Sequence, residues 1–176
     1  MAQMPENIKG AMLTCILSDT LEFRSPTTTQ EDTAIAHALA KDLGVDIAEY
    51  AAQMFAAKSD VSSFSEAELL RMDSKEYEVD GKKFRVSVLE TTSPATVLNR
   101  KDALMAAMPG VATEDGADQV LLFVVDILNE EATMLIPNDF TKSVAEKSFG
   151  ATVTGDSVVL PGVMSRKKQI IPNIKA

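Results

Sequence analysis

The chain holds 176 residues, with 26 acidic against 17 basic side chains and a net charge of −9. That balance argues against nucleic acid as the main partner, because phosphate-backbone binding needs broad basic surface. No apolar run approaches the roughly 20 residues that cross a bilayer, and the single cysteine, Cys15, cannot form an internal disulfide, which fits a reducing, cytoplasmic location.

Glu6 to Leu17 reads as an apolar helix, with Ile8, Met12 and Ile16 at helical spacing. Ser18 to Thr27 is a loop broken by Pro26. Thr28, with Glu31 three residues on, signals a capping box, and Gly44 closes the helix it opens. Asp46 with Glu49 starts a helix from Ile47 to Ala57. The polar, small stretch from Lys58 to Ser63 is the best linker in the chain. Ser65 and Glu68 cap a short helix after it.

From Lys75 onward the period changes. Tyr77 and Val79, then Phe84, Val86 and Val88, alternate with polar residues around Asp80-Gly81, a hairpin pattern. Ser93-Pro94 opens a helix that Met108-Pro109-Gly110 is expected to stop. Val120 to Val125 is apolar on both faces and reads as a buried central strand, turned at Glu130 and Glu131 into Ala132 to Ile136. Asn138 or Asp139 caps a helix that Gly150 ends. Thr152 to Leu160, with Gly155-Asp156 inside it, reads as a second hairpin. The first 58 residues are thus nearly all helical and the rest is mixed, which predicts two structural units.

The chemistry concentrates near the C-terminus. No Asp or Glu follows Asp156, while Arg166, Lys167, Lys168 and Lys175 all do. Two like charges about 6 Å apart repel by roughly 0.7 kcal/mol in water and about 3 kcal/mol at an effective dielectric near 20. A solvated basic run therefore costs little, and such runs are often plain surface. In a cleft the same run needs an anion. Val163, Met164, Ile170 and Ile171 flank it and bring the backbone into and out of a core. Arginine's planar fork matches phosphate oxygens two at a time and lysine adds a point charge, so a small, highly charged phosphate is the candidate ligand. Lys75 sits at a helix-to-strand junction and by itself is an ordinary exposed lysine. Asp19 follows the first helix, but one carboxylate is not a metal site, and no His-x-Asp, His-His or Cys cluster occurs. His37 lies on a helix among Ala and Ile, and Cys15 reads as a core thiol. Neither a Gly-rich phosphate loop nor a nucleophile elbow is present.

Four stretches also carry a resemblance. Ile16-Leu17-Ser18-Asp19-Thr20, Phe23-Arg24-Ser25-Pro26-Thr27-Thr28, Asp73-Ser74-Lys75-Glu76 and Val163-Met164-Ser165-Arg166-Lys167-Lys168-Gln169 resemble, in order, the C-terminal half of family II inorganic pyrophosphatases. These are the manganese-dependent members of the DHH phosphoesterase superfamily. The resemblance spans nearly the whole chain. It implies an α/β (α+β) fold, in which residues 1–58 are the helical tail of a DHH catalytic domain and 59–64 a linker. Residues 65–176 would then be the mixed-sheet, DHH-associated, substrate-binding domain with flanking helices. The implied reaction is hydrolysis of pyrophosphate to two phosphates. Asp19 falls where the family places its last metal-binding aspartate. Lys75, Arg166 and Lys167 fall where it places cations that grip pyrophosphate, and Lys168 beside them is supportive. Manganese, or magnesium or cobalt, is the implied metal of the complete enzyme.

The family's N-terminal histidine-and-aspartate motifs and its namesake Asp-His-His are absent from this sequence. The expectation is a chain that binds pyrophosphate, holds no metal alone and lacks activity without an N-terminal DHH domain. Its helices from Glu6 to Ala57 would then fold poorly, swap or pair as a homodimer. The same motifs leave two other readings open: an exopolyphosphatase or nucleotide phosphoesterase of the superfamily, and a non-catalytic anion-binding or docking module.

Overall fold

The computed structural model describes residues 4–176, which divide into two compact units between Lys58 and Ser59. The first unit consists of helices α1 (Glu6–Thr20), α2 (Gln30–Leu43) and α3 (Ile47–Lys58). Helix α1 runs three residues past the expected end, so Ser18, Asp19 and Thr20 are its last turn rather than loop. Its buried stripe is Leu13, Leu17 and, just beyond the helix, Leu21, while Ile8 and Met12 are 46% and 36% exposed. Both sets are spaced by four residues, so periodicity alone could not choose between them. Cys15 is exposed, not the core thiol expected. Three successive residues, Leu21, Glu22 and Phe23, take positive φ (50°, 52°, 69°), and the Glu22 N–H closes the turn on the Leu17 carbonyl. Thr29 with Asp32, one residue later than predicted, forms the capping box of α2, and Gly44 ends it in the left-handed region.

The second unit is a five-stranded mixed sheet with helices on both faces. It runs α4 (Glu66–Met72), β1 (Ser74–Val79), β2 (Lys82–Thr91), α5 (Ala95–Leu98), α6 (Lys101–Glu114), β3 (Gln119–Asp126), β4 (Glu131–Leu135), α7 (Asp139–Phe149) and β5 (Ser157–Pro161). Strand order follows the chain; β2 and β3 are parallel and the other pairs antiparallel. The mixed α/β architecture expected from the sequence is thus present. Ser65 and Glu68 form the capping box of α4. Asp80 and Gly81, both at positive φ, make the tight β1–β2 turn. Strand β3 is buried from Val120 to Asp126 because both sheet faces are covered.

One face carries α4 and α6, whose Leu69, Leu70, Leu104 and Val111 pack with Leu89 and Leu122. On the other face Phe84 stacks with Phe140 of α7 at 6.0 Å, and Phe123 meets Phe149 edge-on at 5.9 Å. Three expectations fail here. The one helix expected from Ser93-Pro94 is two, α5 and α6, parted by a turn at Asn99 and Arg100. Pro109 does not stop α6 but sits inside it. The ring removes one helical hydrogen bond, yet burial of Met108, Val111 and Ala112 across that point keeps the helix going. Residues 152–156 form no strand, so Thr152 to Leu160 is not a hairpin; β5 pairs instead with β4. Ser59 and Val61 are buried within this unit, the Ser59 hydroxyl accepting from the Thr92 N–H at 3.0 Å.

Candidate functional site: a basic turn braced against the first strand

After β5, Gly162 at φ 74° turns the chain back over the sheet. Met164, Ser165 and Ile170 are buried, so the segment between them is held at both ends. There Arg166–Ile170 forms a single wide turn, because the N–H of Ile170 reaches the Ser165 carbonyl five residues back at 3.0 Å. Such π-turns concentrate at functional sites. The Ser165 hydroxyl accepts from the Lys168 N–H at 3.3 Å. Gln169 clamps the entry: its Oε1 accepts from the N–H groups of Met164 and Ser165, both at 2.9 Å, and its Nε2 donates to the Gly162 carbonyl.

This turn sends Arg166 across to the start of β1. Its Nη1 donates to the backbone carbonyl of Asp73 and its Nη2 to the Asp73 carboxylate, both at 2.8 Å. The arginine side chain is 14% exposed and that of Asp73 53%. Asp73 is two residues before Lys75. Ser74 and Glu76 both accept from Arg85, so they point to the α4/α6 face. By strand alternation Lys75, between them, points to the opposite face, the one carrying Phe84 and Val86. Arg166 is thus tied to the residue two positions before Lys75, at the start of β1. Lys75 and Lys167 are exposed, and their amines make no hydrogen bond or ion pair among the described residues. Lys168 is exposed beside them.

Asp19 belongs to the first unit, exposed in the last turn of α1. A carboxylate there meets the negative end of the helix dipole, a position that favours a cation nearby. It offers one hard oxygen of the kind manganese or magnesium accepts. Among the described residues no group of three His, Cys, Asp or Glu is placed to hold a metal ion, so these residues do not by themselves build a metal centre. His37 is exposed and stacks with Phe23 at 5.8 Å. No helix among the described residues is long and apolar enough to cross a membrane.

The model of the DHHA2 domain family matches residues 52–176. The chain belongs to the DHHA2 domain family. Over 97% of its length it is also similar to curated proteins named as manganese-dependent inorganic pyrophosphatases, at 44% identity in Deinococcus radiodurans and 39% in Lactobacillus acidophilus. Among solved structures, one described as a family II inorganic pyrophosphatase of Methanococcus jannaschii matches 97% of the chain at 33% identity with a TM-score of 0.84. The chain spans about half the length of these relatives, 56%, 55% and 55% respectively. Within this DHHA2 unit, sequence reasoning did not single out Asp73 or Gln169 as site residues. Both stood inside the quoted motifs, but nothing local distinguishes an aspartate that receives an arginine 93 positions away.

Proposed function

We propose that this chain is the substrate-gripping, C-terminal half of a manganese-dependent inorganic pyrophosphatase. Arg166, Lys75 and Lys167 hold the oxygens of pyrophosphate, with Lys168 reinforcing the local field, and offset the charge that builds as the anhydride bond breaks. Residues 1–58 complete the DHH catalytic domain, 59–64 join the units, and 65–176 form the domain that closes over substrate. Asp19 contributes one ligand to the metal ions, which in the complete enzyme supply an activated water. An N-terminal DHH domain is the required partner, and the setting is the cytoplasm. Alone, the chain binds pyrophosphate and does not hydrolyse it.

The supporting observation is the largely covered Arg166 guanidinium, tied two residues before Lys75, with Lys167 next to it. Charge-assisted hydrogen bonds are worth about 1.5–3 kcal/mol each, enough for three cations to hold a diphosphate without metal. Calorimetric titration with pyrophosphate, phosphate and a nucleotide tests this. Binding should rank pyrophosphate first and depend on Arg166. Preference for a nucleotide would favour a different phosphoesterase, and no binding of any of the three would leave only a docking role. Phosphate release by the isolated chain in manganese would overturn the inactive-alone reading.

A further inference from the structure

We infer that Asp73 is a positioning residue: it fixes the orientation of the Arg166 guanidinium so that the remaining donors face the anion beside Lys75. This rests on the pyrophosphate reading and goes beyond it. Two acceptors of one residue grasp two different nitrogens of the guanidinium, Asp73 O on Nη1 and Oδ1 on Nη2, both at 2.8 Å. That defines the plane of the group rather than merely its location. The acceptor is itself anchored, because the same Asp73 carbonyl takes the Val88 N–H at 2.9 Å and so belongs to the β1–β2 ladder. Lys75 follows two residues later on the same face, about 7 Å further along the strand. Arg166 is thereby referenced to the strand that carries Lys75, and of its five N–H donors these two bonds use only two.

The alternative is that Asp73 simply competes with the anion for Arg166. The two ideas predict opposite signs. Removing a carboxylate beside an anion site should tighten binding if charge alone matters, and should weaken it if orientation matters. Asp73→Ala and Asp73→Asn compared with the unmodified chain decide between them. We expect Asp73→Ala to weaken pyrophosphate binding about tenfold by calorimetry, despite its more favourable charge, and Asp73→Asn, which keeps a neutral acceptor, to stay within about threefold of the parent. Equal or tighter binding by Asp73→Ala, or equal loss in both variants, overturns the inference. Nitrogen-15 NMR of the Arg166 side chain without ligand gives a second reading. The parent should show distinct, slowly rotating Nη signals that average in Asp73→Ala. Averaged signals in the parent sink this inference alone, whereas a held guanidinium in a parent that does not bind pyrophosphate sinks the function and, with it, the purpose assigned to Asp73.

Discussion

Successive residues at the start of β1 bind two different arginines, and the two sites differ in how their charge is balanced. Ser74 and Glu76 bind Arg85 on the α4/α6 face, where Asp115 also takes Arg71 through Nε and Nη2 at 3.0–3.2 Å. With Glu114 included, two arginines there meet three carboxylates. One residue before Ser74, Asp73 is the carboxylate paired with Arg166, while the amines of Lys75 and Lys167 have no ion pair among the described residues. A cluster whose cations all meet carboxylates of the fold stabilises it; one left with excess cations is suited to a ligand that arrives from outside. The first holds the junction of α4, β2 and the end of α6 together. The second is the candidate site.

Exchanging the roles of the two clusters by mutation is the most direct way to break that contrast. Arg85→Ala leaves the Asp115 carboxylate, 14% exposed, with one partner fewer. It should lower stability by about 2–4 kcal/mol in denaturant titration while leaving pyrophosphate affinity unchanged. Arg166→Ala should do the reverse, weakening pyrophosphate about a hundredfold by calorimetry with little change in melting temperature. If either variant shows the other's signature, the division between structural and ligand-binding cations is wrong. Lys75→Ala and Lys167→Ala sharpen it, each expected to cost about tenfold or less in affinity. The smallest effect is acid sensitivity. The hydrogen bonds from Arg71 hold the Asp115 carboxyl below its ordinary value of 3.8, against the opposing cost of burial, with Arg85 adding charge attraction. The ionised form is therefore favoured in the fold, so its contribution is complete above that ordinary value and disappears as pH falls through the lowered one. Asp115→Asn should flatten the fall of stability below about pH 4 in acid titration followed by circular dichroism.

Local signals carried much of the fold. The capping boxes at Ser65 and Asn138, the left-handed glycines Gly44 and Gly150, and the Asp80-Gly81 turn work through neighbours within a few residues, so composition and spacing reveal them. The misses share a cause. Pro109 inside α6, the exposed Cys15 and Met12, and the absent strand over 152–156 were decided by which surface another element covers. The same holds at the site: the basic run and Lys75 can be picked out along the chain, but Asp73 and Gln169 gain meaning only from partners brought to them by folding.

Sequence by itself determined the helical first stretch, the change to period two near Lys75, the buried character of β3 and the purely basic charge of the chain after Asp156. Each follows from residue type, local backbone preference or a simple sum of charges. Only the tertiary structure decided that Arg166 reaches Asp73 across 93 positions and that Lys75 takes the sheet face of Val86, away from Arg85. Strand register and the turn after β5 set those placements, and register depends on long-range pairing that no short window of residues encodes.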